Sequence, residues 1–118
     1  MSELPGAIKY DTGKPAFDMI PPEALEEIAR VFQVGAQKYS RDNWRQGFDW
    51  SRIYGAIQRH LNAFWGGQDR DPETGLLHVA QAAWGCMVLL NFYHTHKDKD
   101  NRVVVPGWPA ENSGGEQA

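Results

Sequence analysis

The chain has only one cysteine, Cys86, so it cannot form an internal disulfide. Cys86 lies in a strongly apolar run, and we predict a buried structural thiol in a protein of a reducing compartment. No apolar run approaches the roughly 20 residues needed to cross a bilayer, and the N-terminus lacks the basic and apolar regions of a secretory signal. The sequence therefore predicts a soluble, cytoplasmic protein without membrane contact.

Clustered positive charge is also missing. The chain has 12 Lys and Arg against 15 Asp and Glu, a net charge of −3, and no basic tract. Because duplex binding depends mainly on clustered cations facing phosphates, this composition argues against a duplex nucleic-acid partner but is compatible with a small anionic ligand. The chain has 118 residues, of which 42% are apolar, and this length and composition predict one domain with a modest core.

The spacing of apolar residues predicts an all-α fold, a compact helical bundle of three main helices with an extended N-terminal arm and a flexible C-terminal tail. We predict that residues 1–20 form the arm, with Phe17, Met19 and Ile20 docking on the core. Residues 21–96 are expected to form the helical domain. Residues 97–118 are expected to form a polar, partly disordered tail, in which residues 103–105 and Trp108 could form a docking strand or clasp.

The first predicted helix spans roughly residues 22–39. Its apolar residues recur at spacings of three and four, which predicts one buried face formed by Leu25, Ile28, Phe32, Gly35, Ala36 and Tyr39. Carboxylates at Glu23, Glu26 and Glu27 could bind a metal, but the positive end of the helix dipole explains their position better.

The second helix has Asp49 or Ser51 as its predicted cap and ends at Gly66-Gly67. The third begins with Asp71 as cap and Pro72 in the first turn, or slightly later with Thr74 as cap, and runs to about Thr95. It is apolar on nearly every side, which predicts a central helix covered by neighbours. Three helices cannot cover it fully, so we expect a homo-oligomer.

The junction of the second and third helices carries the most informative polar groups. His60 lies near the end of one helix, His78 near the start of the next, and Asp71 and Glu73 between them. A short connection between antiparallel helices would bring all four together. We predict His60, Asp71, Glu73 and His78 as ligands of a divalent metal. Such a mixed set suits Mn, Fe, Co or Zn better than Mg. Alternatively, the acids only cap the helix and both histidines hydrogen-bond in the core.

Further side chains are candidates for contacts with a nucleotide. Gln81 cannot take up a proton, but it can donate to a phosphate or a base edge, or simply bridge to neighbouring backbone. Lys38 and Arg59, with Lys14 further away in sequence, could surround phosphates, and Trp44 could stack on a base. The alternative is that the basic residues are solvent groups and Trp44 belongs to the core.

Several short motifs occur in order between residue 11 and about residue 93: Asp11-Thr12-Gly13-Lys14, Ile20-Pro21-Pro22-Glu23-Ala24-Leu25, Gly35-Ala36-Gln37-Lys38-Tyr39, Asn43-Trp44, Arg59-His60-Leu61, Asp71-Pro72-Glu73-Thr74-Gly75-Leu76 and His78. In these motifs the chain resembles the phage-encoded dATP/dGTP diphosphohydrolase-like domain, itself similar to the all-α MazG-type nucleoside triphosphate pyrophosphohydrolases. It departs from the family pattern at Gln68 and Gln81, where that pattern has Glu and His.

The resemblance implies an oligomeric helical bundle that binds a small-molecule nucleotide and divalent cations, Mg or Mn, between its helices. It further implies a metal-dependent purine deoxynucleoside triphosphate pyrophosphohydrolase that releases the nucleoside monophosphate and pyrophosphate, in the cytoplasm of an infected host cell. Glu73 and His78 would be catalytic; Lys14, Lys38, Trp44, Arg59 and Gln81 would bind substrate.

Two alternatives to this enzyme remain open. Because the amides of Gln68 and Gln81 keep hydrogen bonds but remove charge, one is a catalytically silent phage protein that binds a nucleotide or sequesters a nucleotide signal. The other is a helical assembly factor.

Overall fold

The computed structural model describes residues 6–109 and contains three main helices, α1 (Pro22–Lys38), α2 (Trp50–Trp65) and α3 (His78–Thr95). Short 3-10 turns occupy Phe17–Met19, Asn43–Gln46 and Lys97–Lys99. Among the described residues there is no strand, only an isolated bridge that pairs Arg70 with Leu77. The predicted all-α fold with three main helices is confirmed. No helix in the described part of the chain is long and apolar enough to span a membrane.

Helices α2 and α3 form the most extensive contact in the fold. Their buried faces supply the core, which consists of Trp50, Ile53, Ile57, Ala82, Val88 and Phe92. The two backbones approach closely at Gly85, where an added Cβ would lie 2.5 Å from Ile57 Cγ1. Glycine at this position therefore permits the contact between the two helices.

Helix α1 packs on α3 through the middle of its predicted face. Phe32 of that face contacts Trp84 edge to face, with ring centroids 5.9 Å apart, whereas the buried residue of the helix is Val31, which the prediction did not include. The prediction is wrong at both ends of this face, because Leu25 is 47% exposed and Tyr39 is 65% exposed rather than buried. Tyr39 lies beyond the helix, because α1 ends at Lys38.

The predicted start of α3 is also wrong, because the helix begins at His78 and neither Asp71 nor Thr74 caps it. Asp71 instead closes a turn: its Oδ1 accepts the Glu73 backbone N–H at 2.9 Å, and its carbonyl accepts the Gly75 N–H at 2.7 Å. Gly75 adopts a φ of +79°, which favours glycine. Local side-chain bonding of this kind competes with helix formation, so the chain turns before α3 begins.

The arm and the thiol also differ from expectation. Phe17 and Met19 are 77% and 79% exposed and Ile20 is 47% exposed, so the predicted docking of the arm on its own chain is wrong. Cys86 is exposed rather than buried, because α2 and α1 leave one side of α3 uncovered.

The start of the tail is attached to α2. Ser51 donates its backbone N–H to Asn101 Oδ1 at 3.0 Å, and the Arg102 guanidinium lies 4.9 Å from the Trp50 ring centroid. Hydrogen bonds from Arg102 lower the pKa of Asp100 to about 2. Residues 103–105 and Trp108 remain exposed. The rest of the predicted tail, residues 110–118, lies outside the described residues, and so does the disorder predicted there.

Candidate metal centre beside an apolar cavity

Two imidazoles meet where α2 ends and α3 begins. His60 lies in the last turns of α2 and His78 is the first residue of α3, and their Nδ1 atoms are 2.9 Å apart. Asp71 reaches the same point from the connecting turn, so that one ligand atom from each of the three residues lies within 4.8 Å of the others. The structure thus brings together three of the four predicted metal ligands.

Hydrogen bonds from neighbouring residues fix the orientation of these groups. Gln81 Nε2 donates to Asp71 Oδ2 at 3.3 Å, one turn into α3. Gln68 Oε1 lies 2.7 Å from His78 Nε2. Because a carbonyl oxygen can only accept, His78 carries a proton on Nε2, and in the neutral ring its Nδ1 lone pair faces His60. The two glutamines therefore position the candidate ligands.

The environment also favours the neutral form of His60. Burial, followed by the charge of His78, lowers the pKa of His60 below its usual value, while the carboxylate of Asp71 opposes this shift. Metal binding requires deprotonated ligands, so a histidine kept neutral is a suitable donor. Two imidazole nitrogens and one carboxylate, oriented by outer hydrogen bonds, form a donor set that fits a divalent transition-metal ion.

Glu73 lies outside this three-residue cluster. Its side chain is 75% exposed and its Oε2 lies 3.8 Å from Lys38 Nζ, at the end of α1. Its roles as a metal ligand and as a catalytic group remain predictions. The catalytic role of His78 also remains a prediction.

An apolar cavity of about 160 Å³ opens beside His60, between all three helices. It is lined by Val31, Val34, Gly35, Lys38, Ile53, Ala56, Ile57, His60, Thr74, Leu76, Gln81, Trp84 and Gly85. The indole nitrogen of Trp84, in the wall of this cavity, is buried and has no hydrogen-bond partner among the described residues. A buried N–H without a partner is costly, so this donor is a destabilising feature of the fold.

The remaining candidates lie away from the cavity. Lys14 belongs to the exposed arm, in a turn closed by its N–H bond to the Asp11 carbonyl. Arg59 is exposed and folds back over Gly55 on α2. Trp44 packs on Phe32 with ring centroids 5.8 Å apart and lines two other cavities. Its environment matches the core alternative that the sequence left open.

Sequence reasoning missed two residues of this site. Gln68 appeared only as a departure from a family pattern, and Trp84 only as part of an apolar helix. An amide eight residues after His60 could have been recognised as a partner for one of the two imidazoles. No signal in the sequence indicated that the Trp84 N–H would be left without a partner.

Comparison with known proteins gives two matches. Residues 6–102 match the model of a family described as dATP/dGTP diphosphohydrolase, N-terminal. A protein of Salmonella phage PMBT28, named dATP/dGTP diphosphohydrolase, is 44% identical over 103 residues, which are 85% of this chain and 35% of that protein. The chain thus spans about a third of the length of this relative. No solved structure matches it.

Proposed function

The chain belongs to the dATP/dGTP diphosphohydrolase N-terminal family, and on that premise we propose that it is a metal-dependent purine deoxynucleoside triphosphate pyrophosphohydrolase. It would hydrolyse dATP or dGTP between the α and β phosphates, in the cytoplasm of an infected host cell. One observation carries this proposal: His60, Asp71 and His78 converge within 4.8 Å beside an apolar cavity that also has Lys38 in its lining.

His60, Asp71 and His78 are the proposed ligands of a divalent cation, Mg or Mn, and the two imidazoles favour Mn. When bound, the cation offsets phosphate charge and lowers the pKa of the attacking water. The Nε2 proton of His78 is engaged by Gln68, so His78 acts as a ligand rather than a proton acceptor. Glu73 is exposed on the same turn as Asp71, and we assign it the role of accepting the proton of the attacking water as pyrophosphate leaves.

The cavity is the proposed site of the base. Its volume, about 160 Å³, is close to that of a protein cavity of about 150 Å³ known to hold a benzene ring. It can therefore take a ring system but not a whole nucleotide. The triphosphate then lies outside, with Lys38 as its proposed cation.

The experiment is incubation of the protein with each of the four deoxynucleoside triphosphates and Mg or Mn, followed by separation of the products. We expect pyrophosphate and monophosphate from dATP or dGTP. His60→Ala should reduce the rate by at least about 100-fold. The matched control is His94→Ala, an exposed histidine on α3, which should retain the rate. Absence of product with every cation would exclude the proposal.

The silent-binder alternative makes a different prediction. It rests on Gln68 and Gln81, which hydrogen-bond to His78 and Asp71 and leave the three candidate ligands in place. These contacts favour the enzyme over the silent binder, because neither glutamine takes the place of His60, Asp71 or His78 as a candidate metal ligand. Calorimetry in which dATP binds and is recovered intact would support the silent binder. A large gain of activity in the Gln68→Glu, Gln81→His double variant would identify the chain as an enzyme whose activity these two glutamines have removed.

A further inference from the structure

One side-chain amide lines the cavity that is proposed for the base. Gln81 lies one turn into α3 and belongs to the lining of this cavity of about 160 Å³. Two other polar residues of the lining, Lys38 and His60, are assigned to the triphosphate and the cation. A third, Thr74, accepts the Leu76 backbone N–H on its Oγ1 at 3.2 Å. The Gln81 amide is therefore the best placed polar group for contact with the base itself.

The hydrogen bond to Asp71 fixes which way round this amide lies. Gln81 Nε2 donates to Asp71 Oδ2 at 3.3 Å. An ionised carboxylate only accepts hydrogen bonds, so the amide nitrogen and not the oxygen must face Asp71. This bond uses one of the two N–H groups on Nε2. The second N–H and Oε1 remain for a ligand.

The remaining amide oxygen is also accessible. Within residues 6–109, the bond to Asp71 is the one hydrogen bond that the Gln81 side chain makes. In the same range, Trp84 Nε1 is the one buried polar side-chain atom without a partner, so Gln81 Oε1 is not sealed in the core. A ring that enters the cavity can reach it.

A donor beside an acceptor is the arrangement that complements adenine. Adenine presents the N6 amine, a donor, next to N7, an acceptor, whereas guanine presents two acceptors, O6 and N7. The amide can bind both groups of adenine at once, with Oε1 accepting from N6 and Nε2 donating to N7. Against guanine, Oε1 would face O6, which is also an acceptor. Turning the amide over would break its bond to Asp71.

We propose that Gln81 selects the base and that it favours adenine over guanine. This inference rests on the proposed function and deepens it, because it chooses between the two purines. A bidentate contact of this kind discriminates between bases by roughly 5- to 150-fold. The expected order of kcat/KM is therefore dATP above dGTP.

The first test compares dATP with dGTP in the native protein and in Gln81→Met, which keeps the length of the side chain without its amide. Both nucleotides depend on the same cation, so damage to the metal centre cancels in the ratio of their kcat/KM values. We expect the native protein to prefer dATP by at least about 5-fold and the variant to lose this preference. A native protein that prefers dGTP or treats both alike would overturn the proposal, and so would a variant that keeps the native ratio.

The matched control for this ratio is Gln68→Leu. Gln68 is also a glutamine that contacts a candidate metal ligand, His78, but it is not among the residues that line the cavity. The control should lose rate with both nucleotides and keep the native ratio. A ratio that changes as much as in Gln81→Met would assign the preference to the metal centre and refute the role of Gln81.

The second test uses the unmodified protein and does not require any variant to fold. The analogue 7-deaza-dATP keeps the N6 amine but lacks the N7 acceptor, so its kcat/KM should be at least about 3-fold below that of dATP. Equal values would refute the contact with N7.

Failure of the proposed function would give a different result, because no nucleotide would be hydrolysed. The dissociation constants of intact dATP and dGTP would then be measured by calorimetry with Mn²⁺. A constant at least about 5-fold lower for dATP would exclude the enzyme but support the selection of adenine by Gln81. Equal constants, or no binding of either nucleotide, would overturn both.

Discussion

Replacing Gly85 with alanine tests the closest contact between α2 and α3. The added Cβ would lie 2.5 Å from Ile57 Cγ1 and 3.1 Å from its Cδ1. Ile57 is buried, and as a β-branched residue in a helix it has essentially one χ1 rotamer available, which fixes the position of Cγ1. It cannot move aside, so the two helices must separate or the side chain must adopt a strained conformation.

The magnitude follows from two opposing effects. Alanine improves helix propensity by about 1 kcal/mol over glycine, whereas overpacking of a core costs about 1–3 kcal/mol. With a contact this short we expect the upper part of that range, so Gly85→Ala should lower the free energy of unfolding by about 1–2 kcal/mol. In a domain of this size the Tm should fall by about 4–16 °C.

The assay is thermal and urea denaturation followed by circular dichroism, at one fixed protein concentration because oligomers gain apparent stability with concentration. The matched control is Gly35→Ala on α1, where an added Cβ meets no atom within 4 Å. That variant should gain up to about 1 kcal/mol from propensity alone. If Gly85→Ala is as stable as Gly35→Ala, the packing argument is refuted.

A double mutant isolates the contact itself. Ile57→Ala removes the atoms that an alanine at position 85 would meet, at a cost of about 2–5 kcal/mol. In that background Gly85→Ala should be neutral or stabilising. The coupling free energy between the two positions should therefore be about 1–3 kcal/mol, and a value near zero would mean that the helices have another route to accommodate the methyl group.

Three further predictions concern the candidate site. Gln68→Leu removes the acceptor that orients His78, so calorimetric Mn²⁺ affinity should fall about 10- to 100-fold, and an unchanged affinity would show that this contact has no role. Lys38→Met removes the cation proposed for the triphosphate, so the KM for dATP should rise about 10-fold. The ion pair between Lys38 and Glu73 is exposed, so the urea midpoint of this variant should change little. A large loss of stability would contradict the assignment of Lys38 to the triphosphate. Because burial lowers the pKa of His60, the unfolded chain takes up a proton more readily than the folded chain as pH falls below about 6.5. In a chelating buffer the urea midpoint of the native protein should therefore decrease from pH 7.5 to 5.5, and that of His60→Gln should decrease less. Equal decreases in the two proteins would assign the effect to other groups.

The sequence predicted the helices well because their signals are local. The spacing of apolar residues predicted a first helix from about 22 to 39, close to the observed Pro22–Lys38, and an end of the third near Thr95. The glycine pair predicted where α2 stops, and Gly67 adopts a φ of +103°. Each of these signals acts within one or two helical turns, so no knowledge of distant residues was needed.

The approach of His60, Asp71 and His78 was predicted for a similar reason. Two helices joined by a short connection must run antiparallel, which brings the end of one beside the start of the next. The path of the connection could not be predicted in this way. An acid before a proline also favours a helix cap, so the turn closed by Asp71 was interpreted as the first turn of α3, and Glu73 was grouped with the three residues that converge.

The sequence by itself determined the all-α class, the approximate extents of α1 and α2, the end of α3, and membership in a family, because these depend on residue types at fixed spacings along the chain. Only the tertiary structure decided that Gln68 orients His78, that the Trp84 N–H is buried without a hydrogen-bond partner among the described residues, and that Cys86 is exposed. The physical reason is that hydrogen bonds and close contacts depend on distances of a few ångströms between segments far apart in sequence. Those distances are set by how closely α2 and α3 pack at Gly85 and by the turn at Asp71, not by the pattern of either helix alone.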